Sequence, residues 1–182
     1  MHILLVENMV KPIWIARDPS ACSGCRRCEL ACSMHHEDWM WPEASRVRVF
    51  MPFPGLEVPH LCSQCMDYPC VSACPVDALS VDPIYGAVIV DREKCTSCGD
   101  CITACPGSVP FMHPGDNKAV ICDLCGGEPK CVEVCIEAGY NALTIVNESP
   151  NIHRKLYSRN PVDTARDLAV NMFGEKGEEV IE

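Results

Sequence analysis

The sequence has no apolar run of 18 residues, so no segment reads as a membrane-spanning helix. It has neither G-x-G-x-x-G nor G-x-x-x-x-G-K-S/T, which leaves dinucleotide and nucleoside triphosphate binding without support. Positive charge is scarce: 15 Lys and Arg stand against 25 Asp and Glu, a formal charge of −10, the opposite of a nucleic-acid-binding surface. The start, MHILLVENMVKPIW, has an apolar stretch broken at Glu7 and Asn8, with no basic region before it and no small-residue cleavage site. No secretory leader is therefore expected, and the cytoplasm is the expected location, although export together with a partner stays open. Arg26 and Arg27 lie between cysteines and form no twin-arginine address. Aromatics make up only 6% of 182 residues, and with its 16 Cys set aside the hydrophobic content falls from 48% to about 39%. An ordinary globular domain has roughly 45–50%. A self-sufficient apolar core is missing, and the cysteines must supply what it lacks.

Those cysteines fall into four groups of four with none left over: 22, 25, 28, 32; 62, 65, 70, 74; 95, 98, 101, 105; and 122, 125, 131, 135. Groups one and three read C-x2-C-x2-C-x3-C; the middle gap widens to four residues in group two and five in group four. Groups two and three end in Cys-Pro, at Cys74–Pro75 and Cys105–Pro106, which gives group three the full bacterial ferredoxin run. Three closely spaced thiolates cap three irons of one cubane, while the fourth opens a helix that points to a second cluster. Disulfides compete as a reading but belong to exported chains. Structural zinc competes too, but it uses two distant C-x2-C pairs for one ion, and here each group is far denser. The C-x3-C-x2-C signature of radical S-adenosylmethionine enzymes does not occur. Four [4Fe–4S] clusters fit best, giving about 16 iron atoms.

Connectivity suggests how ligands are shared. Residues 78–94 between groups two and three carry two β runs around Pro83 and Gly86, the hairpin of a two-cluster module. Crossed ligation then gives one cluster Cys62, Cys65, Cys70 and Cys105, and its neighbour Cys95, Cys98, Cys101 and Cys74. By symmetry, groups one and four give Cys22, Cys25, Cys28 and Cys135 to a third cluster, and Cys122, Cys125, Cys131 and Cys32 to a fourth. The expected fold is α+β: two pseudo-symmetric ferredoxin-like modules, one inserted in the other, with few short strands and helices around the clusters. Residues 1–61 and 106–147 form the outer module, 62–105 the inner one, and 148–182 a cysteine-free tail for docking.

A β-rich piece trails each group, at Arg46–Met51, Ala78–Val90, Asn117–Ile121 and Ala142–Val146, as in an internal duplication. Four prolines make 42–60 a stiff connector. In the tail, Asp163 or Thr164 caps a helix through about Phe173, stopped by Gly174, with Ala165, Leu168, Ala169 and Met172 on one face. That face serves equally for covering its own domain and for docking. Glu175–Glu182 is expected to fray. His35, His36 and His60 flank cysteine groups; with four thiols for every cluster they suit hydrogen bonds to sulfur, or the surface, better than ligation. Trp39 and Trp41 are expected to shield a cluster or fill an interface.

The order of the four groups, the two Cys-Pro endings, and Pro69 and Pro129 in the widened gaps resemble the four-cluster ferredoxin-like electron-transfer subunits, of the dimethyl sulfoxide reductase iron–sulfur type, over about residues 18–147. The stretch CDLCGGEPKCVEVC (122–135) and the compact chain are similar, more narrowly, to small subunits accompanying tungsten enzymes of the aldehyde ferredoxin oxidoreductase superfamily, which includes tungsten-dependent benzoyl-coenzyme A reductase. Cys135–Ile136 departs from the family's usual Cys-Pro. The resemblance implies a chain with no catalytic residue of its own. It would wire an electron donor, such as a ferredoxin, to a large tungstopterin or molybdopterin subunit in anaerobic metabolism. A free polyferredoxin carrier is the alternative, and an enzyme in its own right the outsider.

Overall fold

A computed structural model describes residues 12–147 and 150–179. The apolar start at residues 1–6 and the end of the acidic tail lie outside that range. Four separate two-stranded antiparallel sheets carry the β structure. β1 (Trp14–Arg17) pairs with β8 (Leu143–Val146), so the two ends of the cysteine-bearing region meet, with Ile15 opposite Ile145. β2 (Arg48–Phe53) pairs with β3 (Leu56–His60), β4 (Leu79–Val81) with β5 (Val88–Val90), and β6 (Phe111–Met112) with β7 (Ala119–Val120).

The β pieces expected after each cysteine group are thus present, but 48–60 is a hairpin and not a mere connector. Its prolines are compatible with this because a two-stranded ribbon has only edges: Val49 faces Pro59, and Gly55 turns the chain at φ +81°.

Helices follow the cysteines. α1 (Arg27–Glu37) packs against α4 (Lys130–Glu137), and α2 (Pro69–Ser72) against α3 (Asp100–Ala104). In the tail come α5 (Asn151–Leu156), α6 (Pro161–Phe173) and α7 (Lys176–Glu179). α6 starts earlier than its expected cap: Asn160 Oδ1 accepts from Val162 N at 2.8 Å, with Pro161 in the first turn. Its Ala165 and Ala169 are fully buried against Leu56 and Val58, while Met172 on the same stripe is exposed. The inward face is therefore used by its own fold. Lys176–Glu179 forms a further helical turn, α7, and residues 180–182 of the stretch expected to fray lie outside the described residues.

Two larger apolar clusters flank the cysteines. One joins Ile15, Val47, Leu61, Leu124 and Leu143 to Cys28, Cys32, Cys122 and Cys131; the other joins Leu79 and Val88 to Cys70, Cys95 and Cys101. Sulfur is built into both cores.

Candidate metal centres

The four cysteine groups share one backbone device. The residue just before the second cysteine of each group lies in the left-handed region: Gly24 (φ +69°), Gln64 (+48°), Ser97 (+61°) and Leu124 (+59°). Another such residue stands two places before the third cysteine in groups one to three: Arg26, Tyr68 and Gly99. Successive reversals of this kind turn backbone N–H groups toward a common centre, a concavity suited to an anionic sulfur cage. Non-glycine residues hold that conformation at about 1–2 kcal/mol each, a cost that bonds to a bound group would offset. Sequence reading missed the device because Gly24 and Gly99 are the only glycines in these seven places.

The sulfurs come together across the chain. Cys22, Cys25, Cys28 and Cys135 line one cavity, walled by Val49 and Leu143. Cys74, Cys95, Cys98 and Cys101 line another, walled by Leu79 and Ala119. Cys62 lies in the electrostatic reach of Cys70, Cys105 and Cys65. Cys131 lies in that of Cys32 and Cys125, and Cys122 in that of Cys131 and Cys32. None of the 16 is joined in a disulfide.

Their spacing discriminates between metals. Tetrahedral zinc at about 2.3 Å from each sulfur needs sulfurs about 3.8 Å apart. Among the described residues, the group of three or more metal-binding side chains with ligand atoms mutually within 4.8 Å is His35, His36 and Cys125; no three cysteines qualify. The quartets are too wide for one ion and suit a polynuclear centre.

Burial drives these thiols away from ionisation. It raises Cys28 and Cys62 to about 12, and Cys70 and Cys125 to about 11. Cys32 is the exception: burial pushes it up, but His36 and the Arg46 N–H outweigh that and hold it below its ordinary value. For the raised thiols, binding a metal as thiolate releases a proton. Backbone N–H donors wait at the sulfurs: Arg46 to Cys32 at 3.2 Å, Ala78 to Cys74 at 3.3 Å, Gln64 to Cys62 at 3.4 Å, Val109 to Cys105 and Ala119 to Cys95 at 3.5 Å. The Ser158 hydroxyl, from the tail, reaches the Cys65 sulfur at 3.4 Å.

The histidines divide. His36 stands 3.7 Å from the Cys32 sulfur and 2.8 Å from its carbonyl oxygen, with Nε2 3.0 Å from Asp123. His60 is buried, and burial, reinforced by Arg17, lowers it to about 4, so it is neutral. His35 is exposed. Trp39 is 59% exposed, its ring tilted against Trp41 at 5.2 Å, and Trp41 in turn meets His113 edge-on. The buried tryptophan is Trp14, against Tyr157. Among the described residues, no helix is long and apolar enough to cross a membrane.

Comparisons with known proteins agree with this chemistry. Residues 55–143 match the 4Fe-4S dicluster domain. The polyferredoxin-like subunit of the aliphatic sulfonate oxidoreductase of Pyrococcus furiosus is 54% identical over 169 residues, covering 93% of this chain and 98% of that one. The formate dehydrogenase-O iron–sulfur subunit of Escherichia coli is 29% identical over 65% of this chain and 48% of its own length. Among solved structures, the active-site complex BamBC of benzoyl coenzyme A reductase as isolated is 25% identical, covering 92% of this chain and 94% of that one. Its TM-score is 0.43. With 16 cysteines in ferredoxin-like motifs providing for four [4Fe–4S] clusters, the chain belongs to the family of polyferredoxin-like iron–sulfur electron-transfer subunits built on the 4Fe-4S dicluster domain.

Proposed function

We propose that this chain conducts single electrons between a donor protein and the catalytic subunit of a tungsten- or molybdenum-containing oxidoreductase, of the aldehyde oxidoreductase or benzoyl-coenzyme A reductase type. The ligand sets are Cys22, Cys25, Cys28 and Cys135; Cys122, Cys125, Cys131 and Cys32; Cys62, Cys65, Cys70 and Cys105; and Cys95, Cys98, Cys101 and Cys74. A cubane held by four thiolates exchanges one electron at a potential set by charge, burial and hydrogen bonds to sulfur. The chain's part is to hold the sulfurs, exclude water and aim N–H dipoles at them. With no cysteine left over, every iron is saturated and none is open to substrate, which makes the chain a conductor and not a catalyst.

The observation that carries this reading is the order in which the sets adjoin. Cys131 feels Cys28, Cys122 feels Cys62, and Cys70 feels Cys101. These couplings link neighbouring sets in the sequence outer, outer, inner, inner. The two exposed cysteines, Cys25 and Cys98, belong to the two end sets. A line with both ends at the surface suits entry at one end and exit at the other. The nested modules, 1–61 with 106–147 around 62–105, gain support from α1 packing on α4 and α2 on α3. The Pyrococcus relative is named as a subunit of an oxidoreductase, which supports a catalytic partner here. The outward apolar residues of the tail, among them Ile152, Leu156, Met172 and Phe173, are available to that partner.

Native purification tests the reading. We expect about 16 iron and 16 sulfide per chain, and co-elution with a larger subunit that contains tungsten or molybdenum. Elution as a 20.0 kDa monomer would favour the free polyferredoxin, and turnover by the isolated chain would favour an enzyme.

A further inference from the structure

Among the described residues, two arginines are buried without a carboxylate partner. Arg17 of β1 and Arg154 of α5 are each only 4% exposed. Among the described residues neither has a carboxylate within 4.0 Å, whereas Arg26, Arg46, Arg92, Arg159 and Arg166, all more exposed, each do. Arg17 Nη2 donates to Ser63 Oγ and to the Tyr157 carbonyl, both at 2.5 Å, and Nη1 has no partner. Arg154 Nη1 donates to the Gln64 carbonyl at 2.8 Å, and Nε has no partner. A buried guanidinium demands a compensating negative charge, and leaving N–H groups orphaned adds to the cost. Both arginines are anchored in the Cys62–Cys65 loop. Arg17 stands in the electrostatic field of Cys62, Cys122 and Cys65, and Arg154 in that of Cys65.

We propose that Arg17 and Arg154 are the counter-cations of the two middle clusters of the line, Arg17 serving those of Cys62–Cys65–Cys70–Cys105 and Cys122–Cys125–Cys131–Cys32 together and Arg154 the former alone. This rests on the ligand sets proposed above. An oxidised cubane with four thiolates carries about −2 and gains a further negative charge on reduction. A fixed positive charge in a low-dielectric interior favours the reduced form, so these side chains raise the potentials of the clusters they face. They are positioning residues for electrons: ligands to nothing, but determinants of which cluster is reduced first. The tail gains a role as well. α5 delivers Arg154, and Tyr157 supplies a carbonyl to Arg17 and lies with its ring centre 5.3 Å from the guanidinium.

The test is a redox titration followed by electron paramagnetic resonance on the full chain, purified anaerobically with its clusters. Arg17→Gln should lower two of four potentials by a tenfold or greater shift in reduced-to-oxidised ratio, about 59 mV for one electron. Arg154→Gln should lower one, and Arg17→Lys, which keeps the charge, should restore most of the Arg17→Gln shift. Unmoved potentials in Arg17→Gln, an equal shift of all four, or a Lys variant as displaced as the Gln variant would each overturn the proposal. If Arg17→Gln loses iron, loss confined to two clusters together with a fully loaded Arg17→Lys supports it. Loss in both variants refutes it. Wild-type iron well below about 16 sinks the cluster reading, and this inference with it; full iron with unmoved potentials removes the arginines alone.

Discussion

Gly127, between Cys125 and Cys131, ties the fourth cysteine group to the β4–β5 hairpin. It sits at φ +97°, and a Cβ built on it would lie 2.5 Å from Tyr85 Cζ and 2.8 Å from Cδ1, closer than such atoms ever approach. Tyr85 follows the β4 strand, packs against the cluster that contains Cys28 and Cys131, and accepts from Ile13 N through its carbonyl at 3.0 Å. Gly127→Ala must therefore bear two separate costs. The left-handed backbone costs about 1–2 kcal/mol for a residue with a Cβ, and the steric overlap costs about 1–3 kcal/mol. The neighbouring Gly126 is an internal control: it is also left-handed, at φ +64°, but nothing lies within 4 Å of its added Cβ. The assay is the rate at which cluster absorbance bleaches in guanidinium under anaerobic conditions, a kinetic measure suited to a chain whose unfolding destroys its cofactor. If about 3 kcal/mol of strain is released on the way to unfolding, Gly127→Ala should bleach roughly 100-fold faster than wild type. Gly126→Ala should show only the backbone share, about tenfold. In a Tyr85→Ala background the overlap has gone, so Gly127→Ala should fall to the Gly126 level. An undiminished effect there would refute the steric account.

Three further outcomes follow from the packing. Burial pushes the Glu37 carboxyl up, but Arg46 at 2.7 Å and His113 at 3.2 Å outweigh it and hold the pKa below its ordinary value. A depressed carboxylate contributes stability that is complete above its unfolded pKa of about 4.3 and is lost as pH falls through the folded value. Wild type should thus bleach about tenfold more slowly than Glu37→Gln at pH 6, and the gap should shrink as pH falls towards about 4; a gap that widens in acid contradicts this. Ala169→Leu overpacks the joint between α6 and Val58 by about 1–3 kcal/mol. It should speed tryptic release of the tail while the iron content stays at the wild-type value. Cys135→Ser should reduce iron from about 16 to about 12 per chain, and an unchanged iron content would remove Cys135 from the ligand set.

How much of this was legible depends on whether the signal was local. Cysteine spacing is local, and it announced the metal chemistry at once. The β pieces after each group were legible from their apolar runs, and 42–60 went wrong because four prolines outweighed the hairpin signal of Gly55. The Asn160–Pro161 pair is a strong start signal for α6 that reading from Asp163 overlooked. Met172 fits the helical stripe of Ala165 and Ala169, but those two are buried with Leu56 and Val58 while Met172 is exposed, so periodicity alone placed it inward. The left-handed turns at Gln64, Ser97 and Leu124 leave no compositional trace, because the surrounding sulfurs dictate the backbone there. Least legible were Arg17 and Arg154. A charged residue is expected outside, and only contacts across 46 and 90 residues, to Ser63 and Gln64, reveal them within.

The shortage of apolar residues and the burial of thiols are two sides of one design. Cys28, Cys32, Cys122 and Cys131 occupy core positions beside Ile15 and Leu124, and Cys70, Cys95 and Cys101 do so beside Leu79 and Val88. A thiol is a small hydrophobe and can fill such a place while neutral. Yet the same interior contains left-handed non-glycine turns and N–H donors directed at sulfur, and these are costs that neutral thiols repay poorly. Exchanging protons for iron converts each costly feature into a favourable one: the dipoles meet negative sulfur, the strained turns acquire ligand bonds, and Arg17 and Arg154 acquire partners. Folding and cluster insertion are then a single equilibrium. Chelation should therefore expand the whole chain in small-angle scattering, and not merely bleach it. An iron-free chain that kept the native radius would show that the apolar clusters suffice without the clusters of iron and sulfur.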